Sequence, residues 1–203
     1  MAENQEVDEQ ELARRREALD HYQRHVHELP CATDCSIFGV PNPVDGDKWM
    51  LQRFILAQDE EHTYDRALAE MASVKITDWI WFVFPQIWGL ATKPTPTSTR
   101  YALRRGGEAH AYAAHPVMFS RLVAACEVLL SNERALTAIM PKEVDRLKLR
   151  SSMTLFEAVA SNPAPFTAVL QRYFEGERDE RTIAKVVEGE LHFDAPKKEE
   201  RAK

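Results

Sequence analysis

Seven residues from separate stretches of the chain carry groups that a small-molecule site uses: Trp81, Gln86, Ser98, Tyr101, His115, Lys148 and Ser152. An indole face stacks on a planar ring, and a carboxamide reads the donors and acceptors on that ring's edge. Lysine supplies three donors and a charge, while hydroxyls donate or accept. The set suits a small anionic or nucleotide-like ligand held in a polar-lined cleft between elements. Histidine titrates near neutrality, so His115 adds acid–base capacity and keeps a hydrolase among the activities considered.

Local spacing sharpens some of these groups and blunts others. Glu108, Tyr112 and His115 stand at i, i+4 and i+7 and share one helix face. Acid–base work is one use of such a triplet; capping of helix ends is the commoner one and is the expectation here. Lys148 and Ser152 are one turn apart, and a desolvated lysine can serve a nucleophilic site. No glycine-rich elbow accompanies them, so a polar ligand contact is expected in place of a serine nucleophile. Arg100, Arg104 and Arg105 precede Gly106-Gly107 and a helix start, a setting in which phosphate binds. A solvated basic loop is the plainer reading of that run. His21, His25, His27, Cys31 and Cys35 have the most metal-like spacing in the chain, yet they match no standard zinc pattern. His27 is two positions from His25 and leaves its helix face, so no stoichiometric zinc is expected, and no cofactor is implied.

The elements that must position these groups are helical. From Glu9 to Leu29 a thin apolar stripe of Leu12, Leu19, Tyr22, Val26 and Leu29 runs along a charged helix that Pro30 stops. Residues 30–48 are turn-rich, with Pro41, Pro43 and Asp45-Gly46-Asp47. Helical period then dominates. Trp49, Phe54, Ile55 and Leu56 lead into Tyr64, Leu68 and Met71 across a polar interval, Asp59 to His62. Thr77-Asp78 is placed to cap a short element carrying Trp79, Ile80, Phe82 and Val83, whose composition leaves helix and strand both open. Residues 92–99 are a Thr/Pro loop. Further helices are expected over 108–114, 117–130 and 132–140, then from Pro141 to about Val159, over Ala164 to Phe174 and from Asp179 to about Glu190. The reading is an all-α fold. Residues 1–47 form an N-terminal helical extension and loop, 48–192 a single helical domain and 193–203 a charged tail. Trp79, Phe82, Leu122, Leu155 and Phe156 are expected in one core cluster.

Composition narrows the classes of function. At 203 residues, with 44% hydrophobic and 29% charged residues, the chain suits one substantial domain. Mean hydropathy is -0.42. No run approaches the roughly 20 apolar residues of a membrane span, and the acidic start lacks the pattern of a signal peptide. A net charge of -6 disfavours nucleic acid as a partner, because phosphate is held by a basic face. Three cysteines, Cys31, Cys35 and Cys126, cannot all pair and read as reduced thiols. A cytoplasmic protein is expected, with the nucleus also open.

Four blocks line up with a known family. They are Arg53-Phe54 with Ala57-Gln58 and Tyr64-x-x-Ala67-Leu68; Trp79-Ile80-Trp81-Phe82-Val83-Phe84-Pro85-Gln86; Glu108-Ala109-x-Ala111-Tyr112-x-x-His115-Pro116 with Arg121-Leu122; and Lys148-Leu149-x-Ser151-Ser152-Met153-Thr154-Leu155-Phe156. Together they resemble the bacterial and fungal domain-of-unknown-function family 1810, which often carries the label calpastatin. The resemblance covers about residues 53 to 185. It implies a mainly helical domain with a topology of its own and implies no activity. The expectation is a ligand-binding helical domain. The alternative is a protein-interaction module that uses the N-terminal helix or the Trp-rich element.

Overall fold

The computed structural model describes residues 47, 49–104 and 106–193 of the chain. The arm, the His/Cys cluster and the end of the charged tail lie outside the described residues. Asp47, expected in the linker, works with the domain: its carboxylate accepts the N–H groups of Leu51 (2.7 Å) and Gln52 (2.9 Å). Those are orphan donors of the first helical turn, α1 (Gln52–Asp59). The polar interval after it is a break. A 3-10 turn at Glu60–His62 puts Glu61 and His62 in left-handed backbone before α2 (Thr63–Ala72) begins.

The Trp-rich string is helical but short, α3 (Ile80–Val83). The expected Thr77-Asp78 cap is absent, and Trp79 begins the helix with no side-chain cap. Thr77 points elsewhere, because the Glu70 carboxylate takes its hydroxyl (2.7 Å) together with Trp79 Nε1 (2.7 Å) and Ile76 N–H (2.8 Å). The Thr/Pro loop closes with α4 (Pro96–Arg100), capped by Thr95 and Ser98 in a reciprocal box. Then follow α5 (Gly106–Ala114), α6 (Pro116–Ser131), α7 (Leu136–Ile139), α8 (Glu143–Val159), α9 (Ala164–Phe174) and α10 (Glu180–Phe193). The fold is all-α. Among the described residues the one extended pairing is an isolated parallel bridge between Ile87 and Leu103.

Helix α8 is the hub, packing on α3, α5, α7, α9 and α10. Leu149, Met153, Leu155, Phe156 and Val159 bury its apolar face. A chain of aromatic contacts crosses the core. Phe54 meets Tyr112 edge-on at 5.0 Å, Tyr112 meets Phe156 at 5.2 Å, and Phe156 meets Phe166 at 5.7 Å. Trp79, Leu122, Leu155 and Phe156 are fully buried in one cluster. Phe82 differs from expectation: it is half-buried and packs on the outside of that cluster, its ring 5.1 Å from Tyr101. No single helix among the described residues is long and apolar enough to cross a membrane. The α5–α6 pair passes only as two segments bent by 81°, and its Ala109, Tyr112, Met118 and Leu122 are core residues.

Candidate cleft and its charged surroundings

After α3 the chain runs extended through Gln86 to Trp88 and is clamped to the segment before α5. Leu103 N–H donates to Gln86 O (2.8 Å), and Trp88 N–H donates to Leu103 O (2.9 Å). The clamp sets the 86–91 and 98–102 segments side by side. Between them lies a half-open cleft of about 100 Å³, walled by Trp81, Trp88 and Tyr101 with Gln86, Gly89 and Ser98. That space exceeds the roughly 10–15 Å³ one water needs and falls below the roughly 150 Å³ of a cavity that encloses benzene. It therefore admits part of a flat ring from its open side. Gly89 has φ +90°, a left-handed conformation that disfavours side chains, and a Cβ there would sit 3.3 Å from Lys185 Cε.

Basic side chains lie beside several lining residues. Arg104 stands 6.0 Å over the Trp88 ring, Arg181 donates to Leu90 O (2.5 Å), and Lys185 lies against Gly89. Lys93 is in the loop between the lining residues Ala91 and Pro94. Arg53 holds the floor of this region in place. Its five N–H groups reach Arg100 O (2.9 Å), Trp49 O (2.9 Å), Met50 O (3.0 Å), Ala102 O (3.3 Å) and Glu108 Oε1 (2.5 Å). Glu108 Oε2 accepts Arg104 N–H at 2.7 Å. The Arg53 and Glu108 side chains are each 4% exposed, so Glu108 is a structural anchor.

Trp81, Gln86, Ser98 and Tyr101 are thus brought together at one cleft, and the other three expected residues lie elsewhere. Lys148 does not line the cleft; its Nζ is 3.8 Å from the centre of the Trp81 ring and 3.6 Å from Asp145 Oδ1. Asp145 Oδ2 is 3.1 Å from Lys75 Nζ, and Lys75 donates to Thr77 O at 2.7 Å. Burial lowers the Lys148 ammonium below the usual 10.5; Asp145 and Asp78 oppose this and Lys75 adds to it. His115 does not share the depression expected for it with Gln86 and Lys148. It precedes α6, with Pro116 in the first turn, and its Nδ1 accepts Met118 N–H at 3.5 Å. Burial lowers its pKa below 6.5 against the pull of Asp47, which keeps the imidazole neutral and able to accept. Ser152 is fully buried inside α8 and does not line the cleft. Its neighbours form a polar seam with α10. Ser151 Oγ meets Thr182 Oγ1 at 2.8 Å, Thr154 Oγ1 accepts Asp179 N–H at 2.9 Å, and Asp179 Oδ1 accepts Thr182 N–H at 2.8 Å.

Two features escaped the sequence reading. Trp88 carries a legible signal, since it stands two positions after Gln86 and an extended segment aims both to one side. The Lys75–Asp145–Lys148 group carries none, because Lys75 comes from a loop far away in the chain.

The architecture is that of a small helical domain with an aromatic, basic-rimmed cleft built on its irregular segments. The chain belongs to the family described as "Protein of unknown function (DUF1810)", which matches residues 48–186. A similar solved structure is that of a conserved hypothetical protein from Mycobacterium tuberculosis. It is 34% identical over 68% of this chain and 96% of that one, with a TM-score of 0.62. No curated protein matches the chain.

Proposed function

We propose that the domain binds a small anionic ligand with a flat, nucleotide-like ring in the cleft. The observation that carries this reading is the convergence of three aromatic walls with one amide inside a basic rim. The ring would lie between Trp81 and Trp88, where stacking is worth about 1–3 kcal/mol per base. Gln86 would read its edge, and the rim would draw the anionic group through the open side. Among the described residues that line the cleft, none is a carboxylate, imidazole or thiol, and Ser98 Oγ is engaged with Thr95. Binding is therefore favoured over hydrolysis at this place. The interaction-module reading has less support, since Trp79 is fully buried and Trp81 forms the cleft wall.

Thermal shift with a panel of nucleoside monophosphates and their uncharged nucleosides tests the proposal. A phosphate-bearing member should raise the Tm of the full chain, by a shift that grows with ligand concentration. Its nucleoside should do so less, and Trp88→Ala should abolish the effect. A panel that leaves Tm unmoved, or a shift indifferent to Trp88→Ala, overturns it.

A further inference from the structure

The first two turns of α8 and one flank of α10 leave apolar side chains in solvent. Val144, Leu147, Ile183 and Val187 are each between 45% and 53% exposed. They belong to one surface. Ser151 meets Thr182 and Thr154 meets Asp179, so the two helices run antiparallel. Val144 and Leu147 precede Ser151 by seven and four positions and share its helix face, which brings Leu147 level with buried Val186. Ile183 and Val187 stand one turn apart beside it. Arg181 and Lys185 occupy the opposite flank of α10, against Leu90 and Gly89, so the apolar surface faces away from the cleft. Exposed Glu143 and Glu180 border it, about one turn from Leu147 and Ile183, and neither pairs with a cation among the described residues.

We propose that residues 9–29 of the same chain dock on this surface as an amphipathic helix. Leu12, Leu19, Tyr22, Val26 and Leu29 make an apolar stripe in that segment, and Arg15 fills the gap in it, three positions after Leu12 and four before Leu19. A lone helix with so thin a stripe is marginal in water, so its stability must come from packing. Burying the stripe lays the Arg15 stem on apolar surface and requires a carboxylate for its guanidinium. Glu143 and Glu180 supply carboxylates at the border. A second copy of the α8–α10 surface would add further unpaired carboxylates there, whereas the stripe of the arm adds a cation. The chain enters the domain at Asp47, which is tied to the start of α1. Residues 30–46 reach up to about 55 Å when extended, against roughly 40 Å for the width of a domain of this size. Tethering makes the docking intramolecular and raises the effective concentration of the arm.

Photo-cross-linking in the full-length chain tests the proposal, whether or not the cleft holds a ligand. Val187 and, in a control, Val117 are each replaced by the photoreactive benzoylphenylalanine. Val117 is an exposed valine on α6, which packs chiefly on α2, α5 and α9. Irradiation should join position 187 to a peptide within residues 9–29 of the same chain about tenfold more than position 117, in a yield that does not change on dilution. Leu19→Asp combined with Val26→Asp should abolish that product while the helical circular dichroism of the domain is retained. Arg15→Glu should reduce it several-fold, and adding Glu143→Arg and Glu180→Arg should restore it. Equal cross-linking of the arm from both positions, a product that survives Leu19→Asp with Val26→Asp, or a charge swap that restores nothing overturns the proposal. A main product that joins two chains assigns the surface to a second copy and overturns it as well.

Discussion

Two charged clusters sit in this domain, and they differ in how their charges count. At Arg53–Glu108 one cation meets one anion, all five guanidinium N–H groups find acceptors, and both side chains are buried. At Lys75–Asp145–Lys148 two cations share one carboxylate, and the outer lysine stays partly exposed. The first arrangement is closed. It ties α1 to the irregular segment before α5, whose carbonyls have no helix of their own to satisfy them. The second is open, since the shared carboxylate stabilises neither ammonium fully. Buried charge that is matched one to one holds a fold, and buried charge in excess leaves one ammonium that gives up its proton more readily.

The largest effects should come from opening the closed cluster. Arg53→Ala leaves Glu108 buried without a counter-charge and strips donors from Arg100 O and Ala102 O, so a loss of about 3–5 kcal/mol is expected in urea unfolding. Phe156→Ala supplies an apolar yardstick of similar size, about 3–5 kcal/mol, from the centre of the aromatic chain. An Arg53→Ala cost under half that of Phe156→Ala would mean that the pair is dispensable and the comparison empty.

Gly89→Ala tests the segment that the closed cluster helps to hold. It forces a side chain to φ +90° against Lys185 and should cost about 1–2 kcal/mol while narrowing the cleft. A variant as stable as the wild type would show that the backbone there relaxes freely. Lys75→Met should cost less again, under about 1.5 kcal/mol. It loses the bond to Thr77 O and the 3.1 Å contact with Asp145, but Lys148 stays beside that carboxylate and leaves the cluster balanced at one charge to one. An unfolding cost equal to that of Arg53→Ala would erase the distinction between the clusters.

The smallest effects should be in pH dependence, and both groups make stability rise with pH, Glu70 in the acid range and Lys148 in the alkaline. Burial opposes the Glu70 charge, but hydrogen bonds from Ile76, Thr77 and Trp79 outweigh it and hold the carboxyl below 4.5. Its stabilisation is complete above that value and is lost as pH falls through the lower folded pKa. Glu70→Gln should flatten the acid limb of the stability profile. Lys148 is a base whose folded pKa is lowered, so the unfolded chain binds the extra proton. Stability should therefore rise with pH from the folded pKa up to 10.5, and Lys148→Met should remove that rise. An unchanged alkaline slope would place the ammonium in an ordinary environment.

The helical period placed α6, α8 and α9 to within a few residues, because their stripes of apolar residues recur over several turns. It also marked Asp179 as the start of the last helix, where local backbone chemistry decides. The string from Trp79 to Phe84 resisted, since four helical residues are too few to show a period. Gln86, Ser98 and Tyr101 meet at the cleft because they lie on two segments that the Gln86–Leu103–Trp88 hydrogen bonds pair, and Trp81 joins them from α3. His115 and Ser152 stand at helical spacings from other polar groups, and spacing does not tell a helix cap or a buried hydroxyl from a ligand contact.

The sequence by itself determined what local interactions determine: helical class, most helix limits, the apolar core and family membership. These follow from periodicity, capping and short ordered strings that act within a few turns of chain. Which charges would face one another was decided only by tertiary structure. Arg53 and Glu108 are 55 positions apart and Lys75 and Asp145 are 70 apart, so nothing local couples them. Their pairing depends on how α1, α5 and α8 pack. Burial then raises the energetic weight of each pairing, because a charge removed from water must be matched by whatever the fold has brought beside it.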